Sequence, residues 1–154
     1  MGRFSRFEFT PESPDGRQAA KLFYTELYEG RDPHVSSPGD LFGDQELRPH
    51  STFEYYGLYA GDEESAAEAP ALLAAGSLEV APPPINIDQL AVDHTHQGSG
   101  YGREMVEFLE VRAAELGATE LEASPIDDRA RSFFSHLGYE VDLADEYLLR
   151  KQLD

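Results

Sequence analysis

The chain has 154 residues and no cysteine, and its 30 acidic residues against 12 basic ones give a formal net charge of -18. This length fits one ordinary domain, and the lack of cysteine excludes disulfides, thiolate metal sites and a cysteine nucleophile. The charge argues against binding to nucleic acid phosphates, and no apolar run approaches the roughly 18 residues of a membrane-spanning helix.

The first third of the chain has the patterns of a strand, a helix and a loop. SRFEFT (residues 5–10) alternates apolar and polar side chains, as a short strand does. PDGRQAAKLFYTELYEG (residues 14–30) places apolar residues on one helical face and ends at a glycine. Three prolines interrupt residues 31–50, which we predict to form a loop with a short helical turn.

The middle of the chain contains three strand patterns. STFEYYGLYA (residues 51–60) and ALLAAGSLEV (residues 71–80) are strand-like, and the acidic segment between them has the composition of a turn. These two runs predict an antiparallel hairpin with a long acidic tip. INIDQLAV (residues 85–92) follows a run of three prolines and predicts a further strand.

The last third of the chain predicts two amphipathic helices and three strands. REMVEFLEVRAAEL (residues 103–116) and DDRARSFFSHLG (residues 127–138) each carry apolar residues on one helical face. TELEAS, YEVDL and EYLLRKQL predict the strands. The helix residues expected to face the core are Met105, Val106, Leu109, Ala113, Leu116, Ala130, Phe133, Phe134 and Leu137.

The order of strand, glycine loop, helix and strand between residues 85 and 124 implies a crossover that leaves its two strands parallel or nearly so. The flanking hairpins make the other strand pairs antiparallel. We therefore predict a single α/β domain, residues 1–154, with a mixed, mostly antiparallel central sheet and helices on both faces.

QGSGYG (residues 97–102) has three glycines in five residues at the entrance to the second helix. Such turns bind anions because the first helical N–H groups have no intrahelical partners and glycines let the backbone touch a ligand. A dinucleotide fingerprint would need a third glycine where Arg103 or Met105 stands, and a Walker A loop would need a lysine that is absent. Both of these motifs are excluded, because the residues that they require are absent from their positions.

The pattern that fits is Gln/Arg-x-x-Gly-x-Gly, filled by Gln97, Gly100 and Gly102. LAVDHTHQGSGYGREMVEFLE resembles the acetyl-CoA loop of the GNAT N-acetyltransferases. DDRARSFFSHLGYE (residues 127–140) resembles a second block of that family, Asn-x-x-Ala-x-x-Phe-Tyr-x-x-x-Gly-Phe, at a fitting distance. The first half of the chain matches only in the order of its elements.

The resemblance implies that acetyl-CoA binds between two splayed parallel strands. The glycine loop would hold the pyrophosphate through its main-chain N–H groups, the strand before it would bind the pantetheine arm, and the N–H near Leu90 would polarise the thioester carbonyl. Asp127 stands where the family has an asparagine that contacts the pantetheine, so its role is an open question. The implied binding residues are Leu90, Ala91, Val92, Gln97, Gly98, Ser99, Gly100, Tyr101, Gly102, Arg103 and Asp127.

The chemistry implied by the resemblance needs a base, because a lysine-like amine has a pKa of about 10.4. Glu122, on the strand beside the thioester, is the first candidate, and Asp88, two residues before Leu90, is the second. Each is one of 30 acids, most of which are expected to be solvated surface residues.

The acid for the departing thiolate is missing from its usual position. Phe134 stands where the family pattern has a tyrosine hydroxyl, and Tyr139, the aromatic residue after the glycine, is expected in the core. Solvent could protonate the thiolate, Tyr101 or Ser132 could replace the tyrosine, or the protein does not turn over. A general acid contributes about 10²- to 10⁴-fold, so its loss slows such an enzyme without abolishing it.

The resemblance therefore implies an N-acetyltransferase that moves an acetyl group from acetyl-CoA directly to a small-molecule or peptide amine. The alternative is a non-catalytic acyl-CoA-binding regulatory module. A homodimer is implied by the family alone. No metal site is predicted, since His94 and His96 lack a third ligand, and Ser99 lacks the glycine of a nucleophile motif at Gln97.

The distribution of charge suggests adaptation to molar salt, and the alternative is attraction of a cationic substrate. The acids are spread along the whole chain, and only Lys21 and Lys151 are lysines. Molar salt screens charge repulsion within about 3 Å. The opening MGRFSRFEF has no apolar signal-peptide core, so we expect a soluble, cytoplasmic protein without nucleic acid or membrane partners.

Overall fold

The structure is a computed structural model that describes residues 3–60 and 71–153. Within these ranges the chain forms seven strands and three α-helices. The strands are β1 (Arg3–Phe7), β2 (Thr52–Tyr59), β3 (Leu72–Ala81), β4 (Asn86–Val92), β5 (Glu120–Ala123), β6 (Glu140–Val141) and β7 (Leu149–Gln152). The helices are α1 (Pro14–Phe23), α2 (Tyr101–Glu115) and α3 (Asp128–His136).

Three shorter helical segments connect these elements. A π-helical turn, Tyr24–Tyr28, continues α1, and a 3₁₀ segment, Pro38–Leu47, occupies the predicted loop. A 3₁₀ turn, His94–His96, leads from β4 to the glycine loop. None of the helices in the two described ranges is long and apolar enough to cross a membrane.

The seven strands form one sheet in the order β1-β2-β3-β4-β5-β7-β6. Every neighbouring pair is antiparallel except β4 and β5, which are parallel. The predicted hairpin is the pair β2–β3, whose tip, residues 61–70, lies outside the described residues. The predicted mixed, mostly antiparallel sheet with one parallel pair is confirmed.

Each face of the sheet carries its own apolar core. On one face α2 and α3 bury Met105, Leu109 and Phe134 against the strands. On the other face α1 buries Ala20 and Phe23. Helices therefore cover both faces, as the sequence predicts, and the two cores together fix the sheet between them.

The sequence misplaces several element ends. The first strand begins two residues before the predicted residues 5–10, and α2 begins at Tyr101 rather than Arg103, because Gly100 can take the left-handed conformation of its N-cap. The expectation that Leu116 faces the core is wrong: it is the C-cap of α2 and is 40% exposed. Phe133 and Leu137 pack against the core as expected, although they are half-buried, and Ala130 is half-buried as well.

One buried ion pair joins β2 to α2. Arg112 donates to both carboxylate oxygens of Glu54, at 2.8 and 3.0 Å, and the Tyr56 hydroxyl donates to one of them at 2.7 Å. The Glu54 side chain is 7% exposed. The hydrogen bonds from Arg112 are the main reason that the pKa of Glu54 falls from 4.5 to about 2.

Glu54→Gln should lower the free energy of unfolding at pH 7 by about 3 kcal/mol, because Arg112 keeps its charge while its buried partner loses the opposite one. The folded pKa of Glu54 is depressed, so its contribution is complete above pH 4.5 and disappears as the pH falls towards 2. Urea unfolding of wild type and variant between pH 7 and 2.5 should therefore give a difference that shrinks on acidification.

Glu12→Gln is the matched control, because Glu12 is exposed, and it should leave stability unchanged at every pH. A Glu54→Gln effect of the same size at pH 7 and pH 2.5 would show that the ionised carboxylate is not what stabilises this contact.

Candidate functional site

The site begins where β4 departs from both of its neighbours. Against β3, Ile87 pairs with Leu78 and Gln89 with Ser77, so Asp88 is an extra residue at a β-bulge. Against β5, β4 pairs at only two positions, through Asn86 and Ile87. Beyond Ile87, among the described residues, the edge of β4 that faces β5 has no strand partner.

A cavity of about 630 Å³ opens between the two diverging strands. Its walls come from β4, the glycine loop, the start of α2, the segment after β5, α3 and the π-helical turn. All the predicted site residues line it except Ser99 and Glu122. Those that do are Asp88, Leu90, Ala91, Val92, Gln97, Gly98, Gly100, Tyr101, Gly102, Arg103 and Asp127.

The three loop glycines serve two different purposes. Gly98 and Gly100 have φ angles of 87° and 88°, a region that residues with a side chain rarely adopt, and nothing lies within 4 Å of where a Cβ would stand. A Cβ on Gly102 would stand 3.2 Å from the Phe133 ring and 3.3 Å from Val92. Two glycines thus set the backbone path, and the third lets α2 approach β4 and α3.

The start of α2 offers main-chain donors to the cavity. Gly100 is the N-cap and supplies no side-chain acceptor. The N–H groups of the first turn, from Tyr101 to Arg103, have no carbonyl partner within the helix, and the helix dipole favours an anion beside them. The Arg103 guanidinium is exposed and lies 3.5 Å from Glu107.

Gln97 connects three walls of the cavity. Its amide nitrogen donates to the carbonyl of Val92 and to a carboxylate oxygen of Glu26, both at 3.1 Å. Its amide oxygen accepts from Arg129 at 2.9 Å. These bonds link the end of β4, the π-helical turn and α3 through one side chain.

Asp127 has two partners in this structure. It is the N-cap of α3, where it accepts from the N–H of Ala130 at 2.8 Å, and it forms an ion pair with Arg31 at 2.9 Å. The Ala130 amide, followed by Arg31, holds the pKa of Asp127 below its usual value. The aspartate therefore caps α3 and ties it to the segment that follows α1.

The two candidate bases lie in different surroundings. Asp88 lines the cavity, and Arg48 binds both of its carboxylate oxygens, at 2.9 and 3.0 Å. Glu122 is 8% exposed and accepts from Arg150 at 2.7 Å. It does not belong to the cavity lining, so only Asp88 stands where the cavity is.

Phe134 lines the cavity. The nearby Tyr139 cannot supply the hydroxyl that Phe134 lacks. Tyr139 is buried beneath it, with ring centroids 5.3 Å apart, and its hydroxyl donates to Glu110 at 2.8 Å. Burial raises the pKa of Tyr139 far above its usual value. The prediction that Tyr139 belongs to the core is confirmed, and of the two proposed substitutes Tyr101 lines the cavity and Ser132 does not.

Sequence reasoning missed Glu26. This carboxylate lies in the π-helical turn, lines the cavity, and contacts His94 Nδ1 at 3.1 Å as well as Gln97. No local motif marks it, because its partners lie 68 and 71 residues away. The other histidine of this segment, His96, lies against the Tyr101 ring, with centroids 6.1 Å apart. Residues 3–60 and 71–153 contain no group of three acidic or histidine side chains able to hold a metal.

The charges that line the cavity are balanced, although the chain as a whole is very acidic. Arg31, Arg103 and Arg129 line it, out of 12 basic residues in total. Three acids line it as well: Asp88 and Asp127, each with an arginine partner, and Glu26, which contacts Gln97 and His94. The main-chain donors at the start of α2 therefore face a region less negative than the protein as a whole.

Three solved structures resemble this one over nearly the whole chain. An acetyltransferase assigned to the GNAT family from Desulfovibrio desulfuricans matches with a TM-score of 0.68 at 14% identity, covering 100% of both chains. An aminoglycoside 6'-N-acetyltransferase in complex with coenzyme A matches with a TM-score of 0.67 at 12% identity, covering 97% of this chain and 96% of that one. The KacTA–DNA complex matches with a TM-score of 0.58 at 19% identity, covering 97% and 93%.

Because the sequence identities are low, these likenesses establish the fold alone. No curated protein sequence matches the chain significantly. The model of the acetyltransferase (GNAT) family matches residues 17–139, which include the bulge, the glycine loop and the start of α3. The chain belongs to the GNAT acetyltransferase family.

Proposed function

We propose that this protein is an N-acetyltransferase that transfers an acetyl group from acetyl-CoA directly to a primary amine in a ternary complex. The observation that carries the proposal is the position of the glycine loop, at the mouth of a cavity that continues between β4 and β5. Acetyl-CoA would supply the acetyl group as a thioester. The residues of this chain would bind it, orient it and move the protons.

The glycine loop can bind a pyrophosphate although the net charge of the protein is -18. Gly98 and Gly100 leave the backbone open to a ligand, and the first N–H groups of α2 would donate to the phosphate oxygens. Ser99 lies between the two glycines and would contribute its main-chain N–H. Arg103 would add one positive charge.

The free edge of β4 suits an extended ligand. Leu90, Ala91 and Val92 line the cavity after the bulge, where β5 no longer pairs with the strand. The pantetheine arm would bind their main chain as an added strand does. The N–H near Leu90 would then donate to the thioester carbonyl and stabilise the charge that develops on attack.

We assign the base role to Asp88 ahead of Glu122. Asp88 lines the cavity at the bulge, next to the proposed thioester position, whereas Glu122 is bound by Arg150 outside the lining. The guanidinium of Arg48 occupies both Asp88 oxygens. Proton transfer from the amine would therefore go through a water molecule or require Arg48 to move.

The acceptor is proposed only as a small-molecule or peptide amine. The negative surface would attract a cationic amine and repel nucleic acid, although one protein of the same fold was solved with DNA. The family resemblance suggests a homodimer, and the charge of -18 suggests a working environment of high salt. Each of these remains a prediction.

A thiol-release assay with acetyl-CoA and a panel of primary amines, in molar salt, tests the enzyme against a regulatory acyl-CoA-binding module. We expect thiol release that depends on an amine.

Phe134→Tyr should raise the rate of thiol release roughly tenfold or more, since a general acid contributes about 10²- to 10⁴-fold. Tight coenzyme A binding without release for any amine, in wild type and variant alike, would favour the regulatory module.

Asp88→Asn should lower kcat about 100-fold, because the variant cannot accept a proton. Glu122→Gln, which also exchanges a carboxylate for an amide beside an arginine, should lower kcat less than about tenfold. Steady-state rates at saturating acetyl-CoA, with the affinity for coenzyme A measured separately by calorimetry, make the comparison. The reverse order of the two effects would return the base role to Glu122.

Gly100→Ala should destabilise the protein by about 1 kcal/mol, because an alanine at a φ of 88° is strained. It should also raise the Kd for coenzyme A about tenfold, since the methyl group would stand in the open space beside the helix entrance. Gly43→Ala is the control, because Gly43 also has open space around it but no positive φ. Equal effects of the two substitutions on coenzyme A binding would contradict the role of the loop.

A further inference from the structure

The π-helical turn is bonded to both the glycine loop and the strand that leads to it. Glu26 contacts Gln97 in the loop and His94 just before it, and the Tyr28 hydroxyl accepts from Gln89 of β4 at 3.0 Å. These contacts join a segment near the start of the chain to residues more than 60 positions later. A π-turn inserts an extra residue into a helix and is often found at functional sites.

Glu26 is mostly shielded from solvent, although its partner His94 is not. Its side chain is 15% exposed, against 67% for His94. Both carboxylate oxygens are engaged, one with the Gln97 amide nitrogen and the other with the His94 ring. The carboxylate therefore accepts hydrogen bonds from two successive parts of the connection between β4 and α2.

Gln97 fixes the position from which Gly98 and Gly100 start. Its side-chain amide bridges Val92, Glu26 and Arg129, so removing one partner leaves it only two of its three bonds. Gly98 and Gly100, the two glycines that follow it, are exposed and have no side chain to hold them in place. Gln97 is therefore the residue whose side chain connects this loop to the elements around it, and Glu26 is one of its three partners.

We propose that Glu26 is a positioning residue which, through Gln97, holds the glycine loop in the conformation that binds the acyl-CoA pyrophosphate. The role in binding rests on the function proposed above. Because the π-helical turn also lines the cavity, the contact between Glu26 and Gln97 would connect acceptor binding to cofactor binding. Leu27, next to Glu26, lines the same cavity, so an acceptor that moves the π-turn would also change cofactor affinity.

Hydrogen exchange of the His96 and Glu104 amides, measured without any ligand, tests the positioning directly, because these amides donate to the carbonyls of Asp93 and Gly100 on either side of Gln97. Glu26→Ala should speed this exchange at least about tenfold, while the amides in the middle of α2 stay as protected as in wild type. Glu26→Gln should restore most of the protection, because its amide oxygen still accepts from Gln97. Glu29→Ala, at an exposed position just after the π-turn, should change nothing.

The same four proteins should then be compared for coenzyme A binding and turnover. Glu26→Ala should raise the Kd for coenzyme A about tenfold, with kcat at saturation changed less than about threefold. The double variant with Gln97→Ala should cost no more affinity than Gln97→Ala alone, because the two residues act as one unit.

Unchanged loop exchange in Glu26→Ala, or a general rise across the whole protein, would overturn the proposal. So would a Glu26→Gln variant that loses loop protection and coenzyme A affinity as fully as Glu26→Ala, because a lost charge would then matter rather than a lost contact. If the wild type binds no coenzyme A, the proposed acetyltransferase function fails, and the exchange measurement still decides whether Glu26 positions the loop.

Discussion

The structure depends on the separation of two parallel strands. β4 and β5 pair through only two residues of β4 and then diverge, although both stay in one seven-stranded sheet. A sheet that parts in this way exposes main-chain donors and acceptors inside the fold, where they need partners. A cavity at this place is therefore a consequence of the backbone, and the side chains around it determine what enters.

The bulge and the glycine loop act together on this opening. The extra residue at Asp88 changes the pleat of β4, so that Leu90 and Val92 pack on the side of α2 while Gln89 is turned towards the π-helical turn. At the other end of β4, Gly102 allows α2 to lie close to the strand. The strand is thus held on both faces, and beyond Ile87 its edge towards β5 has no strand partner among the described residues.

Arginines tie together parts of the chain that are distant in sequence. Because the protein has 30 acidic and only 12 basic residues, many carboxylates are available as partners for each arginine. Four of them pair with acids on other parts of the fold and so help to fix the tertiary structure; three of these acids are buried or half-buried, and Asp127 is exposed. These pairs are Arg31–Asp127, Arg48–Asp88, Arg112–Glu54 and Arg150–Glu122.

What the sequence revealed was local, and what it missed was long-range. The order of the elements, the parallel pair and the residues of the glycine loop follow from periodicity and from a motif confined to a few consecutive residues. The contact of Glu26 with Gln97 and the ion pair of Glu122 with Arg150 cross 71 and 28 residues. No pattern within a window of the sequence can encode them, so they appear only once the chain is folded.

The pairing of the acids also bears on the chemistry. A carboxylate already bound by a guanidinium has fewer free lone pairs for an incoming amine, and this holds for Asp88 and for Glu122. A lysine-like amine with a pKa of about 10.4 is almost wholly protonated at neutral pH, whereas an α-amino group near 7.7 to 8.0 is partly neutral already. With Phe134 in place of a hydroxyl as well, the proposed transfer would require an amine that loses its proton easily. An acceptor with a low amine pKa would need the least help from such a site.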